Sequence, residues 1–358
     1  MNAAPIEASD GRRVWIGGRA RLCFAGTSLL GLAQHPEVLA ASREALERCG
    51  LSAAAARSTS GNFAEHEALE HELAEFIGAP AALLFPDGWL ADAAALAGLS
   101  QGDYAFLADA GAHASLTEPL RAAGSRPVAF DASADLPARG PRPRCVLTDG
   151  LYPSASRRAR AAVLLGQLDD DERLLIDDSH GLGYLGPIGR GCAALDGCAS
   201  DPRVRITGSL AKQLGATGGF AAGPVEWVEG LRSGAYEVLG TTPIPPAVAA
   251  GARAALGLLG REPERLERLR TRDREWGEWR EAWGLAPAAE PVPVLAFPID
   301  DPDRGRRVAD RLLERDLFAP FMQYGGEPGV LRVAVSALHT DEDLARLRAA
   351  LEELLPPD

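Results

Sequence analysis

The sequence predicts an α/β protein, a mostly parallel sheet with helices on both faces, followed by a smaller α+β C-terminal domain. Between residues 81 and 222, apolar runs of four or five residues alternate with helical stretches, as in strands joined by crossover helices. From Pro245 a long helical pattern begins, and after Pro287 the order becomes β–α–β–β–α. At 358 residues the chain can bury one large or two ordinary cores.

A short apolar strand is expected at 22–25. Pro36 opens a helix whose Val38, Leu39, Ala45 and Leu46 keep helical spacing up to Gly50, and a second helix at 65–76 stops at Gly78. Strands are then expected at 81–85, 104–108, 126–130, 144–148, 173–177, 205–208 and 219–222. The helical pattern from Pro245 to Trp283 breaks near Gly260-Arg261-Glu262-Pro263. Its first part is alanine-rich and buried, and its charged second part is expected to lie in solvent. The last elements are a strand at 292–297, a helix at 305–315, strands at 318–321 and 331–335, and a helix at 341–354. The prolines of 291–298 and the glycine-rich turn 325–329 bracket these strands. The implied division is 1–48, packing with the small domain, then 49–244 as the large domain, and 245–358 as the connecting helix and small domain.

The net charge of −13 argues against nucleic acid or an anionic membrane as partner. Cys23, Cys49, Cys145, Cys192 and Cys198 form no CxxC pair and read as reduced, buried thiols. No apolar run reaches membrane-spanning length, and residues 1–18 have no apolar leader segment. A soluble cytoplasmic protein is expected.

Among 37 basic residues a single lysine, Lys212, appears. A lysine amine can lose its proton and condense with a carbonyl, which arginine cannot do. Lys212 follows the β-rich run Val204-Arg205-Ile206-Thr207, comes three residues after Ser209, and precedes Gly215, Gly218 and Gly219. A strand so placed delivers Ser209 and Lys212 to the carboxyl edge of the sheet, where open α/β sheets bind ligands. A lysine that bonds an aldehyde beside a hydroxyl that takes a phosphate points to pyridoxal phosphate.

Three further stretches fit that cofactor. Leu174-Leu175-Ile176-Asp177 ends an apolar strand in a carboxylate suited to a pyridine nitrogen, and His180 follows within reach of a ring hydroxyl. The run from Leu83 through Gly88 and Trp89 reads as strand, turn and helix start, whose free amides form an anion site. His113, after another strand, can lie flat on the ring. Residues Gly181-Leu182-Gly183-Tyr184-Leu185-Gly186 match GxGxxG, but Pro187 and Gly189 follow without helical periodicity. The pattern therefore fails as a dinucleotide fingerprint, which must open a helix.

The order of these motifs resembles the α-oxoamine synthase family of fold-type-I pyridoxal phosphate enzymes, from about Leu22 to Leu354. The most specific parts are Asp177-Asp178-Ser179-His180-Gly181 with Gly186-Pro187-Ile188-Gly189-Arg190-Gly191, and Ser209-Leu210-Ala211-Lys212. Arg57 with Ser60-Gly61-Asn62, His113-Ala114-Ser115 and Thr241-Thr242 also match. The resemblance implies the aminotransferase-like fold, with Lys212 as Schiff-base lysine and proton carrier at Cα. It implies Asp177 at the ring nitrogen, His180 at the ring oxygen, His113 on the ring face, and Ser209, Gly88 and Trp89 on the phosphate. Thr242 would reach the phosphate of a second subunit, making a homodimer with shared sites, and Arg332 would hold a substrate carboxylate.

The implied reaction joins an amino acid to an acyl thioester, carried on coenzyme A or a carrier protein, with loss of carbon dioxide to an α-amino ketone. An aminotransferase or aldolase on the same fold, or a non-catalytic cofactor-binding partner subunit, are the alternatives. The chain departs from the family pattern at three places. Thr27-Ser28-Leu29-Leu30-Gly31-Leu32 stands for Asn-Asp-Tyr-Leu-Gly-Leu, Ser52-Ala53-Ala54-Ala55-Ala56 for a glycine-rich run, and Pro153 for a cofactor-proximal serine. These changes bear on substrate and acyl carrier and leave the cofactor residues in place.

Overall fold

The computed structural model describes residues 5–132, 135–285, 292, 294–323 and 329–356. They fall into two compact units, one drawn from Met1–His35, Pro153–Arg157 and Pro263–Asp358, the other from Pro36–Tyr152 and Arg158–Glu262. The first unit begins with β1 (Ala8–Ser9), β2 (Arg13–Ile16) and β3 (Arg19–Cys23), an antiparallel meander. In β2 the period-two alternation buries Val14 and Ile16.

The second unit opens with α1 (Pro36–Cys49) and α2 (Ala64–Ile77), which Gly78 ends in a left-handed cap. There follow β4 (Ala81–Phe85), α3 (Gly88–Leu99), β5 (Ala105–Asp109), α4 (Glu118–Ala122), β6 (Val128–Phe130) and β7 (Arg144–Asp149). The two-residue strands β8 (Leu151–Tyr152) and β9 (Arg157–Arg158) come next, then α5 (Ala161–Leu165), β10 (Arg173–Asp177) and α6 (Cys192–Leu195). The unit closes with β11 (Val204–Ser209), β12 (Gly219–Gly223), α7 (Val225–Gly234), α8 (Tyr236–Leu239) and α9 (Pro246–Arg261).

Its sheet has seven strands in the order β4-β12-β11-β10-β7-β5-β6. All neighbours from β11 to β6 are parallel, and β12 alone runs antiparallel to both β11 and β4. The central strands read as unbroken apolar runs because helices cover both faces: Leu174, Leu175 and Ile176 of β10 are all buried. Helix α3 sets Ala91 and Ala94 against Leu83, Phe85 and Ala221, and Ala95, Leu96 and Leu99 against Leu147 and Leu175. Ala45 of α1 meets Ala247 and Ala250 of α9, small side chains that let these two helices approach closely.

Back in the first unit come α10 (Pro263–Ala282), β13 (Val294–Ile299), α11 (Pro302–Glu314), β14 (Leu317–Phe318), β15 (Phe321–Met322), β16 (Gly329–Ala334) and α12 (Asp341–Leu354). The strand expected at 318–321 is two strands in two sheets. β14 runs parallel to β3, while β15 pairs with β16. Ala319 and Pro320 separate them, and Pro320 has no N–H for a continuing ladder. The expectation that charged residues put the second long helix in solvent is also corrected. Leu266, Leu269, Trp276 and Trp279 of α10 are buried, and the last two stack at 5.0 Å in the core of this unit. Pro291 and, except for Gly329, the turn expected at 325–329 lie outside the described residues. Among the described residues no helix is long and apolar enough to cross a membrane.

Candidate active site

Parallel register sets three polar side chains side by side. Asp177 of β10 is level with Asp149 of β7 and with Thr207 of β11, and register partners share one face of a sheet. One pleat earlier on the same strands, Leu147 and Leu175 pack against α3. The acids therefore stand at the carboxyl edge, directly above an apolar floor. Asp177 is 5% exposed, and its Oδ1 accepts Ser179 N at 2.9 Å. Asp149 Oδ2 accepts His113 N at 2.8 Å, while Asp149 N donates to the buried Tyr152 hydroxyl at 3.0 Å. The His113 ring is exposed but tethered: Nδ1 hydrogen-bonds Ser115 Oγ at 2.7 Å, and the Trp89 ring meets it edge-on at 6.1 Å.

Helix α3 starts immediately after β4. Asp87 caps it by accepting Leu90 N at 2.8 Å. The first-turn amides of Gly88 and Trp89 have no acceptor within the helix, and the helix dipole adds positive potential there. The end of β11 approaches this start: a Cβ on Gly88 would lie 3.0 Å from Ser209 Cβ. A Cβ on Gly219 would lie 2.1 Å from Asp87 O, so glycine is required where β12 passes the cap. Ser209 Oγ accepts Ala211 N at 3.1 Å, and the loop closes through Leu210 N to Gly218 O at 2.9 Å. Half-buried Lys212 projects from this loop, and Gly215 N donates to its carbonyl.

Behind the edge, Asp178 is enclosed. Cys192 N donates to its Oδ2 at 2.6 Å, and its buried Oδ1 has no partner. Burial pushes its pKa up to about 7; the Cys192 N–H opposes this and the like charge of Asp177 adds to it. A Cβ on Gly150, Gly181 or Gly191 would lie 2.3, 1.9 or 2.1 Å from its carboxylate oxygens. Gly181, the first glycine of the GxGxxG run, thus makes room for a carboxyl group. Gly183 makes room for Gln213, whose Cβ would be 2.4 Å away, and no helix starts before Cys192.

Asp177, His180, His113, Ser209 and Lys212 lie on loops or strand ends of the second unit, Gly88 and Trp89 open its helix α3, and Thr242 is exposed on the loop between α8 and α9. Arg332 belongs to the first unit, on β16, where its Nη1 donates to Gly26 O at 2.9 Å. Three observations fit a flat, phosphate-bearing pyridine. A nearly buried carboxylate sits at the sheet edge, a helix start with open amides is pressed against Ser209, and the loop after Ser209 carries the only lysine. Sequence reasoning missed Asp149 and Thr207, level with Asp177, and Ser115, which holds the His113 ring. Asp149 had a readable signal, since Val146-Leu147-Thr148-Asp149 ends an apolar strand in an acid just as β10 does.

A family model described as aminotransferase class I and II matches residues 170–351. The 8-amino-7-oxononanoate synthase of Methylococcus capsulatus is 34% identical over 99% of this chain and 94% of its own length. A serine palmitoyltransferase structure from S. paucimobilis, with a bound pyridoxal phosphate–myriocin adduct, superposes with a TM-score of 0.88 at 23% identity, covering 98% of this chain and 93% of its own. The structure of the 8-amino-7-oxononanoate synthase of Francisella tularensis gives 0.78 at 19% identity, covering 93% and 96%. The chain therefore belongs to the aminotransferase class I and II family, and within it to the α-oxoamine synthases, enzymes that work with pyridoxal phosphate.

Proposed function

We propose that this enzyme is an acyltransferase of the 8-amino-7-oxononanoate synthase type. It condenses an amino acid with an acyl thioester, releases carbon dioxide and a thiol, and leaves an α-amino ketone. The observation that supports this most is the convergence of the Lys212 loop, the Asp177 strand end and the open start of α3 at one sheet edge. When bound, pyridoxal phosphate supplies an aldehyde for an amine and a ring that takes up negative charge from Cα.

The chain's own residues do the rest. Lys212 Nζ would hold the cofactor at its aldehyde carbon and would carry a proton to and from the Cα of the amino acid. Asp177 keeps a proton on the ring nitrogen, and His180 hydrogen-bonds the ring oxygen. His113, held by Asp149 and Ser115, covers one ring face and shields the reacting carbon from water. The amides of Gly88 and Trp89 and the Ser209 hydroxyl take the phosphate, joined by Thr242 of a second copy in a homodimer. Arg332 pairs with the amino acid carboxylate through its guanidinium fork. The five cysteines, none paired, suit a cytoplasmic enzyme.

Purified enzyme given pyridoxal phosphate, a panel of amino acids and acyl-coenzyme A or acyl carrier protein tests this reading. Equal amounts of carbon dioxide and free thiol are expected with one amino acid, and neither with Lys212→Ala. An amino group appearing on an added keto acid, with no thiol release, would overturn condensation in favour of transamination.

A further inference from the structure

Asp178 is 2% exposed and takes no part in the chemistry assigned above. Its backbone begins a tight turn at the end of β10. Gly181 N donates to Asp178 O at 3.1 Å, and Leu182 N donates to the same oxygen at 2.9 Å. Ser179 and half-buried His180 are the two central residues of that turn. The Asp178 side chain folds back against it. Its Oδ1 packs so closely on Gly181, the residue after His180, that a Cβ there would lie 1.9 Å away. On the other side the same oxygen would lie 2.3 Å from a Cβ on Gly150, the residue after Asp149.

The second carboxyl oxygen reaches the far end of the loop. Oδ2 accepts Cys192 N at 2.6 Å, where α6 begins, and would lie 2.1 Å from a Cβ on Gly191. Between its ends the loop is bonded to itself: Gly183 N donates to Gly189 O at 2.6 Å, and Gly191 N to Leu185 O at 3.1 Å. The bond to Cys192 N joins this closed loop to the strand end that carries Asp177. Asp178 N in turn donates to Thr207 O at 2.8 Å, which fixes the residue to β11. One carboxyl group thus braces the His180 turn, with backbone of three segments packed around it.

We propose that Asp178 is a positioning residue for His180: its carboxyl fills the space beneath the turn and bonds the far end of the loop, holding the imidazole in place for the ring oxygen of the cofactor. This rests on the role given above to His180. Burial raises the proton affinity of the carboxyl, and the charge of Asp177 adds to it, so a neutral amide suits the same cradle. Asparagine keeps both the shape and an acceptor for Cys192 N. Alanine keeps neither.

The test compares the native protein with Asp178→Ala, Asp178→Asn, His180→Ala and the double variant Asp178→Ala with His180→Ala. Each is titrated with pyridoxal phosphate for its dissociation constant, and the visible band of the bound ring is then followed against pH. The midpoint of that pH profile responds to contacts with the ring and not to global stability. His180→Ala is expected to displace the midpoint and weaken binding about tenfold, the effect of one lost hydrogen bond to a charged group. Asp178→Ala is expected to move both in the same direction. The double variant should move no further than His180→Ala alone, because both changes act through one contact. Asp178→Asn is expected to keep the native values.

A native midpoint in Asp178→Ala would overturn the positioning role. Additive displacements in the double variant would overturn the route through His180, and a full displacement in Asp178→Asn would overturn bracing by shape. Should Asp178→Ala fail to fold, Asp178→Ser, too short to reach Cys192 N, takes its place with the same expectations. A His180→Ala protein with native midpoint and affinity would instead remove the role of His180, and this inference with it.

Discussion

Lys212 follows a buried strand and sits on a loop pinned by Ser209 and Gly218, so its amine is presented by rigid backbone. Lys212→Arg keeps the charge and the length but cannot bond an aldehyde. Turnover should fall at least about 10²–10⁴-fold, the usual loss when a positioned proton carrier goes, and the visible band of bound cofactor should disappear. Asp178 makes a different prediction. Its pKa rises from the ordinary 3.8 to about 7 in the fold, so the folded state holds the proton more tightly than the unfolded chain. That advantage is present in full below pH 3.8 and is lost as pH rises towards 7, at about 1.4 kcal/mol per unit. The melting temperature of Asp178→Asn minus that of the native protein should therefore climb across this window and level off above it; a flat difference would mean Asp178 is charged throughout. Lys212 and Asp177 were legible because each follows an apolar strand with which its chemistry clashes. The burial of Asp92 beside Thr207 was not legible, since an acid in an alanine-rich helix reads as a solvated position until the sheet opposite it is known.

Among the elements, the start of α3 and the start of β12 constrain each other. Gly219 has room for no side chain beside Asp87 O and Gly88 N, so Gly219→Ala must push the helix start away from Ser209. A loss of about 1–3 kcal/mol in stability is expected from such overpacking. Affinity for pyridoxal phosphate and for free phosphate should fall together, because the phosphate site is what moves; titration of both ligands checks this. The strands of the large sheet were readable almost to the residue, since burial on both faces leaves runs of apolar types, as at 81–85 and at 174–176. Helix α10 was misread for the opposite reason: its arginines and glutamates crowd the window and mask a narrow stripe of Leu266, Leu269, Trp276 and Trp279. Trp276 is fully buried. Trp276→Ala should cost about 3–5 kcal/mol, measured by denaturant unfolding, whereas a solvated helix would lose almost nothing.

At the scale of the whole molecule, the proposal requires two copies of the chain, because Thr242 is assigned to a phosphate held by the other copy's Ser209, Gly88 and Trp89. Thr242 is exposed, as are Tyr236 and Leu51, large apolar side chains with most of their surface bare within one chain. Exposed apolar groups of this kind mark interaction surfaces when they cluster, and sequence alone could not show that they stay uncovered. A homodimer of twice the 37.7 kDa chain mass is therefore expected in solution, and light scattering on the eluting peak measures it. Sharing of sites is tested more sharply by mixing. Lys212→Ala removes the amine from its own site, and Thr242→Asp sets a carboxylate against the phosphate of its partner's site. Each homodimer should be inactive. In a mixed dimer both faults fall on one site and the other is wholly native, so activity should return to about half of the native value per dimer, as one of two independent sites predicts. If Thr242 served its own chain's phosphate, every site in the mixed dimer would carry one fault. No mixture of the two proteins would then recover activity.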